Sequence, residues 1–121
     1  MCVPSSRPAT RFLDILDNIR LIQGYLQGMD RAAFEADSRT RDAVERCLER
    51  ISEAAAKLGD LAAVLMPDQP WHKIRAFGNV LRHEYDVIRE DVLFEIATKD
   101  LPGLYTAAAE ALRRWNLHEL P

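Results

Sequence analysis

Apolar side chains return at every third or fourth position along almost the whole chain, and no stretch alternates apolar with polar residues as a half-buried strand must. A chain patterned this way buries its apolar surface by packing helix on helix, so the spacing predicts an all-α bundle. Phe12, Ile15, Leu16, Ile19, Ile22, Leu26 and Met29 make the stripe of a first helix, roughly Pro8 to Gly28. Asp30 reads as the N-cap of a short turn through Ala32, Ala33 and Phe34, and Ser38 or Thr40 as the cap of a second long helix. That helix carries Val44, Cys47, Leu48, Ile51, Ala54, Ala55 and Leu58 and stops near Gly59, a residue suited to the left-handed position after a helix.

A shorter piece with Leu61, Val64 and Leu65 is ended by Pro67, and Pro70 starts a third helix with Trp71, Ile74, Phe77 and Leu81 on its apolar face. Trp71 is expected to anchor the core. Val92, Leu93 and Ile96 share a further face, and Pro102 sits in the first turn of a last helix continued by Leu104, Tyr105, Ala108 and Leu112. The expected fold is therefore about four main helices plus short helical turns, joined by short connections that make neighbours mostly antiparallel. At 121 residues the chain is expected to form a single domain over 1–121, with the first ~8 and last ~5 residues loose.

A hydrophobic share of 48% with 29% charged residues is too apolar for intrinsic disorder. No run approaches the ~18 apolar residues of a membrane span, and MCVPSSRPAT lacks the apolar core of a secretion signal, which points to a cytoplasmic protein. Cys2 and Cys47 are too few for a disulfide framework, and Cys47 recurs at core spacing. The net charge of −3 disfavours polyanions overall. Between His72 and Arg89, however, four cations (Lys73, Arg75, Arg82, Arg89) face two carboxylates (Glu84, Asp86): 4 − 2 = +2, which leaves −5 for the rest.

That basic segment holds the run NVLRHEYD, residues 79–86, the densest polar chemistry in the chain. Arg75, Asn79 and His83 stand at i, i+4 and i+8 and drift by only about 40° per step around a helix, so they can meet one ligand. His83 can exchange a proton near neutrality, an arginine can hold a phosphate, and Asn79 can orient either. With RNA the ribose 2′-hydroxyl supplies the nucleophile, so cleavage needs only a base and charge stabilisation. His72, His83 and His118 are widely spaced and two cysteines cannot make a zinc site, so no metal is assigned. A structural reading stands beside this one: His83 as a histidine stabilised at a helix C-terminus, Tyr85 half-buried with a wet hydroxyl, and Glu84 and Asp86 as solvated charges. Trp115, near the end, is suited to covering a groove or a partner surface.

The runs FLDILDNIRLIQGYLQGM, DAVERCLERISEAAAKL, the PW opening the third helix, GNVLRHEYD and VLFEIATKDLPGL, in this order, resemble the HepT-like family of small HEPN-type helical proteins, over roughly Arg11 to Leu112. The resemblance implies an HEPN-type antiparallel bundle and a homodimeric, metal-independent toxin ribonuclease, paired with a nucleotidyltransferase antitoxin and needing no cofactor. In the family an arginine precedes, by four to six residues, a histidine, any residue and a tyrosine. The arginine and histidine cleave RNA, and the tyrosine is nucleotidylated by the antitoxin. Carried over, His83 matches the histidine, Tyr85 the tyrosine and Asn79 the asparagine that usually follows the arginine. The arginine itself is replaced by Gly78, leaving Arg75 and Arg82 as substitutes. The alternative implied by that departure is a binding module that remains partner and substrate of the nucleotidyltransferase without cleaving RNA.

Overall fold

The protein is described by a computed structural model over residues 7–74, 78 and 90–117. Every regular element among these residues is helical, as the apolar spacing requires. The elements are α1 (Pro8–Tyr25), α2 (Arg31–Ala36), α3 (Ser38–Leu58), α4 (Asp60–Leu65), α5 (Glu90–Glu95), a π-helical turn (Ile96–Asp100) and α6 (Leu101–Asn116). Residues 71–74 and 78 are also helical. No helix among the described residues is long and apolar enough to cross a membrane. Of the loose ends expected, residues 1–6 and 118–121, with His118, lie outside the described residues.

Pro8 occupies the first turn of α1, where its missing N–H would have had no intrahelical partner. Phe12, Ile15, Ile19 and Ile22 are fully buried, each side chain adding about 1.5–3 kcal/mol by leaving water. The helix stops at Tyr25, short of the expected Gly28, because Gly28 takes a φ of 78° that a right-handed ladder cannot continue. Asp30 caps α2 as expected, its Oδ1 accepting from the Ala33 N–H at 2.8 Å.

The cap of α3 differs from expectation: it is Asp37, with Ser38 already in the first turn. The Asp37 carboxylate has two oxygens and uses both, Oδ1 accepting from the Thr40 N–H at 3.1 Å and Oδ2 from the Thr40 hydroxyl at 2.9 Å, which a serine could not do. Val44, Cys47, Leu48, Ile51, Ala54, Ala55 and Leu58 all face the core, and Gly59, with φ 59°, ends the helix.

α1 lies along α3 and also against α6, and this three-helix contact carries most of the core. Arg20 of α1 reaches α6, its Nε donating to the Tyr105 hydroxyl at 2.8 Å while the guanidinium carbon stands 5.4 Å from the ring centre. Trp115 is partly buried against the same core.

Pro102 lies in the first turn of the last helix, as the spacing predicts, and that helix follows directly on the π-helical turn. Helical residues continue from Glu90 to Asn116, with one wide turn inserted where the Leu101 N–H bonds the Ile96 carbonyl. Pro102 has no N–H, and its ring would press on the carbonyl four residues earlier, so the ladder widens just before it. The extra residue keeps Leu93, Ile96, Ala97, Leu101 and Leu104 all facing inward.

Candidate functional site

The candidate residues Arg75, Asn79, Arg82, His83 and Tyr85, and the apolar partners Phe77 and Leu81, lie outside the described residues. What is described is the framework on both sides. Upstream, Trp71 is buried and its indole N–H donates to the Met66 carbonyl at 2.8 Å, closing the Pro67–Pro70 turn onto the core. The first helical bond of the segment follows, from the Ile74 N–H to the Pro70 carbonyl at 3.0 Å. Lys73 then reaches the end of the π turn and pairs with Asp100 at 2.9 Å. Between Ile74 and Ile96 lies an apolar crevice of about 40 Å³, lined also by Leu48, Ile51 and Leu104, large enough for little more than one water.

Gly78 is helical and buried. Glycine inside a helix costs about 1 kcal/mol relative to alanine, and burial here means that any longer side chain at this position needs room among its neighbours.

Downstream, Glu90 opens α5 and is ion-paired with Arg41 of α3. The Nε of Arg41 is buried without a hydrogen-bond partner among the described residues, so this guanidinium depends on Glu90 for its compensation. On the same helix, burial and then the neighbouring Asp42 push the Glu45 carboxyl above the usual carboxylate range, with Arg41 opposing. Phe94 of α5 packs on Phe34 of α2 with ring centres 5.5 Å apart, and Leu93 is fully buried. Neither Arg41 nor Glu90 carries a signal in the linear pattern, since 49 positions separate them.

Burial also raises the Cys47 thiol, despite Arg50 nearby, so this cysteine is a small core residue and a poor nucleophile. Among the described residues no group of three or more His, Cys, Asp or Glu is placed to hold a metal ion. His72 is exposed at the start of the segment.

The family model described as "Ribonuclease HepT-like" matches residues 15–111, a span that runs through both flanks and the whole of residues 75–89. The chain belongs to the HepT-like ribonuclease family. Relatives of this HepT-like chain agree. "Probable ribonuclease HepT" of Thermococcus cleftensis is 31% identical over 91 residues, covering 75% of this chain and 83% of the relative. The protein named "Putative RNase MJ1380" of Methanocaldococcus jannaschii is 30% identical over 101 residues, covering 83% and 93%. No solved structure gives a significant match.

Proposed function

We propose that this HepT-like chain is a metal-independent endoribonuclease acting as the toxin of a toxin–antitoxin pair. The observation that carries this reading is the family match over residues 15–111, which encloses the run GNVLRHEYD with its histidine and tyrosine in the family order. His83 removes the proton from a ribose 2′-hydroxyl and returns one to the leaving 5′-oxygen. Arg75 or Arg82 holds the phosphate as charge builds on it, and Asn79 orients the reacting groups. Tyr85 receives a nucleotide from a nucleotidyltransferase antitoxin. Attachment there places a bulky anion two residues from His83 and closes the site to RNA. The protein works in the cytoplasm as a homodimer, which brings two copies of the motif to one RNA strand.

The test is RNA cleavage in the presence of a chelator. Wild-type protein cleaves and His83→Ala does not; equal cleavage by the two removes His83 from the chemistry. Incubation with a nucleotidyltransferase and a nucleoside triphosphate should add one nucleotide mass or more, and Tyr85→Phe should abolish the gain.

A second reading is favoured by Gly78, which is buried, helical and lacks the guanidinium that the family places there. In it the chain keeps the bundle and Tyr85 and acts as partner and substrate of the nucleotidyltransferase without cleaving RNA. Wild-type protein that gains mass at Tyr85 but leaves RNA intact in every buffer selects this reading over the first.

A further inference from the structure

Away from residues 75–89, α1 and α3 leave between them an open polar cleft of about 350 Å³, within the range of sites for small ligands. Its sequence signature is Asn18, an amide in the middle of the apolar stripe of α1 and only 8% exposed. The Asn18 Nδ2 donates to the Asp14 carbonyl at 2.8 Å, which fixes the amide's orientation. Its Oδ1 then points away, buried and with no hydrogen-bond partner among the described residues. A buried carbonyl oxygen left in this state calls for a donor.

The rim carries both signs of charge. Arg46 pairs with Glu49 at 3.4 Å and Lys57 with Glu53 at 3.9 Å, both loose contacts on long side chains that are 39–63% exposed. With Arg11, Arg50 and Asp14 the lining holds four cations and three carboxylates, 4 − 3 = +1, on a chain of net charge −3. The cleft therefore offers one buried acceptor, Asn18 Oδ1, beneath a rim of partly exposed charges.

We infer that this cleft is a base-reading subsite for single-stranded RNA, taking an amine-bearing base, adenine or cytosine, with the exocyclic amine donating to Asn18 Oδ1 and the adjoining phosphate beside Arg46 and Arg50. The inference rests on the ribonuclease reading for its ligand class. Entry requires the rim side chains to swing aside, which their exposure permits, and a guanidinium plane then covers the face of the unstacked base. Carboxylates commonly accept from the cytosine amine. Uracil fits poorly, because it has no exocyclic amine and its only ring donor is flanked by two carbonyl oxygens that would face Asn18 Oδ1.

The experiment measures binding of short, end-labelled homo-oligomers of cytidine, adenosine and uridine by fluorescence anisotropy, using the full chain with His83→Ala so that RNA survives. Cytidine or adenosine oligomers should bind about tenfold more tightly than uridine, the worth of one satisfied hydrogen bond. Asn18→Leu should bring them down to the uridine level and leave uridine unchanged, while Arg50→Gln should weaken all three and make the salt dependence shallower by about one ion. Should Asn18→Leu fail to fold, cytidine methylated twice on its amine tests the same contact on unaltered protein and should bind like uridine. Equal binding of all three oligomers, or a preference that survives both Asn18→Leu and amine methylation, overturns the proposal and leaves Asn18 with an ordered water only. Cleavage without base preference defeats the cleft and spares the ribonuclease; base preference without cleavage by the wild type does the reverse.

Discussion

The α1–α3 pair and the flanks of residues 75–89 are held by different forces. Along α1 and α3 the buried contact is apolar, with Phe12, Ile15, Ile19 and Ile22 on one helix and a face from Val44 to Leu58 on the other, and a polar cleft opens beside it. The flanks are shorter helical pieces that add polar ties to their buried apolar residues, Trp71 and Leu93 among them: an indole on a carbonyl at Trp71, an ion pair from Lys73 to Asp100, another from Arg41 to Glu90, and a helix widened just before Pro102. Burial spread over many residues makes a rigid support whose loss is global.

The sharpest test is His83→Ala, which on the proposed ribonuclease reading lowers RNA cleavage by about 10²–10⁴-fold and leaves the melting temperature within a degree or two. A comparable fall in melting would mean that the motif also carries the fold. Ile19→Ala should do the opposite, costing about 2–5 kcal/mol in denaturant unfolding through the cavity left under α3. Between these lies Trp71→Phe, which leaves the Met66 carbonyl with only the longer bond from the Gln69 N–H and trims a core anchor; a loss of about 1–3 kcal/mol with near-native helix content by circular dichroism would place the Trp71 indole among the polar ties of the flank. The smallest effect concerns the Asp37 cap. Hydrogen bonds from the backbone and hydroxyl of Thr40 hold its carboxyl below the usual aspartate range, so the folded state favours the ionised form. Its stabilisation is complete above the unfolded value and disappears as pH falls below 3.8 through the lower folded value. Asp37→Asn should therefore lower the melting temperature slightly at neutral pH and flatten the acid limb of its profile, the two proteins converging at low pH.

Much of this division is legible in the chain itself. The stripes of α1 and α3, the cap at Asp30, the stop at Gly59 and the anchor at Trp71 follow from spacing and from residue chemistry, because each depends on neighbours a few positions away. The cap at Asp37 was within the same reach, since aspartate is as good a cap as serine and the choice fell to whichever side chain could serve both donors of Thr40. Asn18, too, is visible as a polar break in an apolar stripe, but that it is sealed in with an unanswered oxygen depends on what α3 lays over it. Of the candidate site, the residue types are readable in the sequence, and the family rests on runs spread along the chain, whose model matches residues 15–111.

By itself the sequence determined the helical class, the faces each long helix would bury and the family, since all three rest on residue identity and short-range spacing. Tertiary structure alone decided that Arg41 and Glu90 would pair, that Lys73 would find Asp100, that the helix through Pro102 would widen instead of break, and that a polar cleft would open beside Asn18. Those outcomes join residues tens of positions apart, and which distant side chains meet is set by how the helices stack around a common core, a property that no local pattern contains.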